Sequence, residues 1–573
     1  MSGRQPADRK GGLRFQRCSC KIERRYAPAL ENTQAIGDNS VIVRSLIVVS
    51  MSTPREVELK LEIPPQSIAR LTRSSLLNGR TKAMRKPASL VSVYFDTKKL
   101  KLRNNGFSLR VRRTGRKHMQ TVKNYGAETT TLVARNEWEH EIADNEPDLD
   151  KARDTPLGRV LGKKACRKLN PLFETRVRRK VYPIHEGVSE IELTVDKGSV
   201  AAGRRSSPIC EVELELKRGE VADLFKAARI LAEEVPVQLA TSSKAERGYS
   251  LIEGRGAAPV KAASVGLTPH TTCALAFHAI ARACLRQLVA NRPAMLGGDP
   301  DGLHQMRVAL RRLRAAISLF GDMLCDHQTE EMKVQLKWIT GELGPAREFE
   351  VFVKRVLMPV AAAKPDGPGV AVLTRDLEEK RAEAFHRARA AVESARFRTL
   401  MIDTAAWIEN GDWTHNGHAS VSALRESTIA AVAAHDLSKR RKKILKNGSR
   451  LKELEPQRRH KLRIQAKKLR YASEFFAGAF PGKKPRKRRK EFLAALEKLQ
   501  DALGDLNDIA VHEGLTAEII DASAADGKRG MGRARKAFAA GRLSGREEAR
   551  APSVLNDAQH AYRLFAAAKP YWL

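Results

Sequence analysis

Residues 56–63 read Glu-Val-Glu-Leu-Lys-Leu-Glu-Ile, four charged side chains alternating with four aliphatic ones. Alternation at period two gathers the charges on one face of a β-strand and the aliphatic groups on the other. Taken alone, this is also the pattern of a surface strand whose polar face meets water. The pattern returns, however, at 211–217 as Glu-Val-Glu-Leu-Glu-Leu-Lys. Between the two lie Leu109-Arg110-Val111-Arg112, Thr121-Val122-Lys123, residues 135–141 with Glu137 and Glu139, and Arg176-Val177-Arg178, most of them placing like charges on one strand face. Glutamates two apart on a strand are ~6.6 Å from each other and repel by about 2.5 kcal/mol at an effective dielectric of ~20. Several such pairs turned into one enclosed space require cations.

Strands with inward charged faces make a barrel with a polar lumen, and eight strands enclose room for one small ligand. Carboxylates in such a lumen hold hard divalent cations, and rows of Arg and Lys suit phosphate oxygens. The combination describes a site for a metal-bound polyanion. On these residues the chain resembles the CYTH family of triphosphate tunnel metalloenzymes, whose marker is Glu-x-Glu-x-Lys near the N-terminus. The resemblance covers roughly 51–253 and takes in Tyr94-Phe95-Asp96-Thr97, Asp196 and Ser243-Lys244-x-Glu246-Arg247-Gly248.

The resemblance implies an antiparallel eight-stranded β-barrel and hydrolysis of inorganic triphosphate to pyrophosphate and phosphate by direct attack of water. It assigns Mg²⁺ or Mn²⁺ to Glu56, Glu58, Glu213 and Glu215, and phosphate binding to Lys60, Arg110, Arg112, Lys123 and Arg176. Glu137 and Glu139 would orient water or complete a metal shell, and Lys244 would close one tunnel mouth. Thiamine triphosphate hydrolysis and cyclisation of ATP are the alternatives within the same fold.

The 573 residues suggest more than one domain, and 104 Lys and Arg against 66 Asp and Glu leave a net charge of +38. Such a chain expects an anionic partner. Seven irregularly spaced cysteines argue against a disulfide framework and fit a reducing cytoplasm. Residues 1–50 read as a disordered leader, with Met51 as the expected natural start. The apolar run at 41–49 is too short to span a membrane, and no membrane partner is expected. Small residues at 254–269 mark a linker between a domain at 51–253 and a second at 270–573.

From Thr271 onward the text is rich in Ala, Leu and Arg and reads as all-α, so the chain as a whole is expected to be α+β. His304-Gln305-Met306-Arg307-Val308-Ala309-Leu310-Arg311-Arg312-Leu313-Arg314 recurs as His460-Lys461-Leu462-Arg463-Ile464-Gln465-Ala466-Lys467-Lys468-Leu469-Arg470. A looser echo joins Leu343-Gly344 to Leu503-Gly504. The repeat divides the region into halves at about 270–420 and 421–573. At ~100° per residue, His304, Arg307, Arg311 and Arg314 fall within about 80° of one helix face, as do His460, Arg463, Lys467 and Arg470. A solvated basic face is one reading. Two facing copies would instead form a basic groove, and here the sequence resembles the CHAD domain, known as a family for binding inorganic polyphosphate.

A granule-associated polyphosphate binder without catalysis is a further alternative. Specific nucleic-acid binding is disfavoured by 5% aromatic content and by the lack of a stacking or groove-reading motif. The oligomeric state is left open, and the expected location is the cytoplasm, with polyphosphate granules as a further expectation. Residues 481–490 are expected as a basic loop and 524–552 as a mobile stretch.

Overall fold

A computed structural model describes residues 56–78, 85–124, 132–135, 137–162, 166–254, 256, 258–363, 369–525 and 531–573. The leader at 1–50 and the side chain of Glu56 lie outside the described residues. Strands come first: β1 (Glu56–Glu62), β2 (Arg85–Thr97), β3 (Phe107–Thr114), β4 (Lys117–Asn124), β5 (Leu132–Arg135), β6 (Glu137–Ile142), β7 (Leu169–Glu186), β8 (Ser189–Ala202), β9 (Arg205–Arg218) and β10 (Gln238–Leu239). All pair antiparallel. Two-residue turns at Gly115, Gly187 and Gly203, each with φ near +60°, join β3 to β4, β7 to β8 and β8 to β9, as tight hairpins require.

The sheet runs β10-β1-β9-β8-β7-β2-β3-β4-β6, with β5 on β1. Eight strands were expected and ten are found among the described residues. The expected strand over 135–142 begins earlier and is divided, its first part pairing with β1 and its second with β4. The short β10 is the other addition. One stretch of chain thus touches both ends of the strand path.

Period-two alternation decides what each face meets. Leu59 and Leu61 of β1 and Val212 and Leu214 of β9 are fully buried in an apolar core, while Glu58, Lys60, Glu211 and Glu213 take the other face. Helix α1 (Val221–Glu234) covers the apolar side through Leu224, Phe225, Ala228 and Leu231. Helix α2 (Lys244–Glu253) follows, its N-terminus set by a capping box between Ser243 and Glu246.

Ten further helices build the rest: α3 (Cys273–Ala290), α4 (Pro300–Leu319), α5 (His327–Glu342), α6 (Gly344–Phe352), α7 (Val370–Glu393), α8 (Ala395–Asn410), α9 (Ile429–Gly448), α10 (Pro456–Phe475), α11 (Lys483–Ala525) and α12 (Met531–Ala567), with short helical segments between some of them. The expected basic loop at 481–490 is mostly the beginning of α11, and much of the stretch expected to be mobile is α12. Both segments are rich in Lys, Arg and Ala, good helix formers, and Pro485 falls in the first turn, where its missing N–H costs nothing. Residues 273–296 are apolar and long enough to cross a membrane. Phe277, Ile280, Cys284 and Leu288 of this stretch are buried in the helical core. Among the described residues, Cys166, Cys210, Cys273, Cys284 and Cys325 form no disulfide.

The expected linker does not hang between two bodies. Val260 exchanges two hydrogen bonds of 2.8 Å with the Asn291 side chain, and Leu267 is buried. Helix α1 packs against α8, with Arg229 Nη1 3.4 Å from Asp403. The apolar cluster under the sheet is continuous with that of the helices. Helices α3 and α9 begin side by side: Cys273 N donates to Ser427 O at 2.9 Å and Ile429 N to Thr271 O at 2.8 Å.

Candidate active site and basic cleft

The ladder registers stack charge across the sheet. Glu58 lies opposite Glu215, Lys60 opposite Glu213 and Glu62 opposite Glu211, while Asp196 lies opposite both Glu211 and Arg179. On the far side Arg110 faces Tyr94 and Thr121, and Lys123 faces Glu137. Glu58, Lys60, Arg110, Arg112, Lys123, Glu137, Glu139, Glu213, Glu215 and Lys244 line one cavity of about 680 Å³. Arg176 does not. It is exposed on the outer face and pairs with Glu174 at 2.7 Å, whereas Arg179 lines the cavity. The expectation chose the wrong parity on β7, and a one-residue slip in a strand reverses the face.

One wall is anionic. Asp196, Glu211 and Glu213 are buried and bring carboxylate oxygens within 4.8 Å of one another. Lys244, the first residue of α2, reaches all three: its Nζ is 2.8 Å from Asp196 and 3.0 Å from Glu213, and it also contacts Glu211. Lys60 Nζ is 2.7 Å from Glu213 and 3.4 Å from Glu58, and Arg179 forks onto Asp196 at 2.8 and 2.6 Å. Burial alone would raise the Glu213 pKa, yet Lys244, Lys60 and Arg179 hold it well below the usual carboxylate range. Burial would likewise lower the Lys244 pKa, and the facing Glu211, Glu213 and Asp196 raise it instead.

The other wall is cationic. Arg110 meets Glu137 at 3.2 Å and Glu139 at 3.7 Å, and Lys123 meets Glu137 at 2.5 Å. Glu139 also accepts a hydrogen bond from Thr121 Oγ1 at 3.0 Å. Arg112 is different. Among the described residues it bonds Ser92 Oγ alone, at 3.3 Å, and burial with Arg110 and Arg179 beside it lowers its pKa to about 10. A half-buried guanidinium flanked by two others is a place for an anion.

Hard cations need clustered oxygens. Asp196, Glu211 and Glu213 could hold one, and Glu211 keeps a buried oxygen, Oε2, without a hydrogen-bond donor. This cluster differs from the expected set. Glu215 turns to Lys217 at the cavity rim, and neither Glu211 nor Asp196 was nominated. The period-two run Glu211-x-Glu213-x-Glu215 carried the signal for Glu211.

A second concentration of charge lies between α4 and α10. Arg307, Arg311, Arg463 and Lys467 converge, and nitrogens of Arg307, Arg311 and Arg463 are buried without an acceptor. Burial and the neighbouring Arg463 and Arg311 push Lys467 down to about 7. Burial, with Arg347 and Arg311 nearby, pushes His304 down to about 4, so it is neutral at pH 7 rather than a fourth cation. His460 is exposed and bonded to Asn507. Arg470 turns to Glu474 at 3.3 Å and Glu497 at 3.7 Å. Arg314 is exposed and stands near Lys468. Arg307 lies 3.8 Å from Glu348 on α6, and Arg463 lies 4.0 Å from Asp508 on α11. A Cβ on Gly344 would come to 3.3 Å from Arg307, and one on Gly504 to 3.8 Å from Arg463.

Two family models match stretches of this chain. Residues 54–249 match the CYTH domain and residues 279–517 the CHAD domain. An inorganic triphosphatase from Haemophilus influenzae is 31% identical over 203 residues, which is 34% of this chain and 55% of that protein. The match therefore spans about half of the relative's length. The CHAD domain of Ricinus communis aligns at 27% identity over 54% of this chain and 97% of that one, with a TM-score of 0.45. A protein from Hippeastrum for which a dominant triphosphatase activity is described aligns at 21% identity over 35% and 97%, with a TM-score of 0.27. The chain carries a CYTH domain followed, in order, by a CHAD domain.

Proposed function

We propose that the cavity hydrolyses inorganic triphosphate to pyrophosphate and phosphate with Mg²⁺ or Mn²⁺. The observation that carries this reading is the half-buried Arg112, which has no carboxylate at ion-pair distance among the described residues, opposite a wall of clustered carboxylates. In this reading the strand path closes into a tunnel through the chain segment shared by β5 and β6. Arg110, Arg112 and Lys123 bind the phosphate chain and stabilise charge spreading onto the transferred group. Asp196, Glu211 and Glu213, with Glu58, would hold the metal, which would supply Lewis-acid polarisation and make the attacking water more acidic. Lys244 then moves from its carboxylate contacts toward phosphate oxygens, keeping the wall neutral. Glu139, partly exposed beside Arg110, accepts a proton from the attacking water. Supporting the substrate class is the likeness to the Haemophilus influenzae triphosphatase.

The helical region is read as two halves related by a two-fold repeat, with Arg307, Arg311, Arg463 and Lys467 as a cleft for polyphosphate. Cations with unused buried donors suit a string of phosphate oxygens. Phosphate release from triphosphate, long-chain polyphosphate, ATP and thiamine triphosphate, compared in Mg²⁺ and Mn²⁺ and after chelation, tests the catalytic reading. Turnover indifferent to chelator, or faster with ATP than with triphosphate, would refute it.

A further inference from the structure

The repeat supplies an internal control. The shift that carries His304 onto His460 also carries Arg312 onto Lys468, Arg314 onto Arg470 and Ser318 onto Glu474. The corresponding contacts are present in both directions: Arg312 reaches across to Glu474, and Lys468 Nζ reaches back to Ser318 Oγ at 3.3 Å. The same packing niche therefore occurs twice, once with a carboxylate at its centre and once with a hydroxyl.

In the first niche Glu474 takes both Arg312 and Arg470, the latter at 3.3 Å. In the second, Lys468 meets Ser318 instead, with Arg314 and, from α9, Lys443 near Lys468, and Arg440 of α9 donates from Nη2 to Ser318 O at 3.4 Å. At the matching positions α3 presents Cys284 and Gln287, which are uncharged. No carboxylate lies at ion-pair distance from Arg314, Lys443 or Lys468 among the described residues. Half-buried Lys468 feels burial first and then Arg440, Arg314 and Lys443, all of which disfavour its charged form. Like charges held this close are a cost to the free protein that an anion would remove.

We propose that Lys468 at Ser318, with Arg314 and Lys443 beside it and Arg440 on the Ser318 carbonyl, forms a second site for a phosphate oxyanion, separate from the cleft at Arg311 and Lys467. Three long cationic side chains and a hydroxyl match the donor set such an oxyanion takes. The inference rests on the two-fold reading and is independent of what the tunnel hydrolyses. The ligand is either free pyrophosphate or the end of a longer polyphosphate chain.

Lysine footprinting of the full-length chain, by reductive methylation read by mass spectrometry, tests it. An anion that raises an amine pKa by about one unit slows labelling about tenfold at a pH below the pKa of the free amine. Inorganic pyrophosphate and long polyphosphate are used in separate arms. Protection of Lys443 and Lys468 in the pyrophosphate arm assigns the free anion, and protection by polyphosphate alone assigns a chain end. Ser318→Glu places a carboxylate where the other half has one. Ser318 is exposed, so the longer side chain fits, and the variant should lose the protection and melt at a higher temperature than the parent. Ser318→Ala should keep the protection. Labelling of both lysines unchanged by either anion, or protection that survives Ser318→Glu, would overturn the site.

Discussion

Lys60 Nζ lies 2.7 Å from Glu213 Oε1 across the β1–β9 ladder, and Lys244 Nζ lies 3.0 Å from the same oxygen. Two ammonium groups on one carboxylate oxygen make Glu213 the anion on which the neutrality of that wall depends. Glu213→Gln should therefore lower turnover on triphosphate by about 10²-fold or more. It should also cost about 3–5 kcal/mol of stability, because breaking one partner out of a buried ion cluster strands the others. Phosphate release together with denaturant melts reads both effects, and a fully active, equally stable variant would remove Glu213 from the site.

The same cluster sets an acid limit. Lys244 and Arg179 hold Asp196 low against burial, and Lys244, Lys60 and Arg179 do so for Glu213. Carboxylates held low in the folded state contribute stability above their ordinary pKa of about 4 and lose it as pH falls through the folded value. Melting temperature should fall steeply below about pH 4 in the parent and less steeply in Glu213→Gln.

Arg112 and Arg176 make a paired comparison. Arg112→Ala should reduce turnover about 10²-fold, as loss of a preorganised charge donor does. It should also leave the free protein as stable or more so, since Arg112 sits among like charges. Arg176→Ala, outside the cavity, should leave kcat and KM unchanged. Equal kinetic losses in both variants would return the cavity assignment to doubt.

Glu211→Gln tests the metal set. Its unpartnered oxygen predicts a rise in the Mg²⁺ or Mn²⁺ concentration needed for half-maximal activity, with activity recovering at high metal. A Glu215→Gln variant should need less extra metal. The reverse order would favour the rim carboxylate over the buried one.

Lys467 carries a proton prediction for polyphosphate binding. Burial and the adjoining Arg463, Arg311 and Arg470, only partly offset by Asp508, push it down to about 7, so above neutral pH the free cleft holds it uncharged. A bound polyanion restores the charge, and binding should take up protons at pH 8–9, weakening as pH rises. Titration calorimetry in buffers of different ionisation enthalpy measures the uptake. Lys467→Met should abolish it, and uptake that persists in that variant would assign it to another group.

Much of this was legible from period and spacing. The alternation at 56–63 and 211–217 located β1 and β9. The repeated His-x₂-Arg run located α4 and α10. Register was not legible. Whether Glu211 or Glu215 lies deep depends on which residues of β1 they face, and the parity of β7 decided between Arg176 and Arg179. Neither property is local. His304 was read as a cation from its residue type, whereas its burial against Arg347 and Arg311 comes from packing α6 against α4. The division of residues 132–142 into two strands depends on partners at opposite ends of the sheet.

The packing of α1 against α8 bears on how this chain comes apart. Phe225 and Leu231 on one side, and Leu400 and Ile402 on the other, belong to one continuous apolar interior. Scission at 254–269 would not release two self-sufficient modules, since each would bare a greasy face shaped to the other. Thermal denaturation of the intact chain should therefore trace a single cooperative transition, and an excised helical fragment should aggregate or soften unless α1 is supplied in trans.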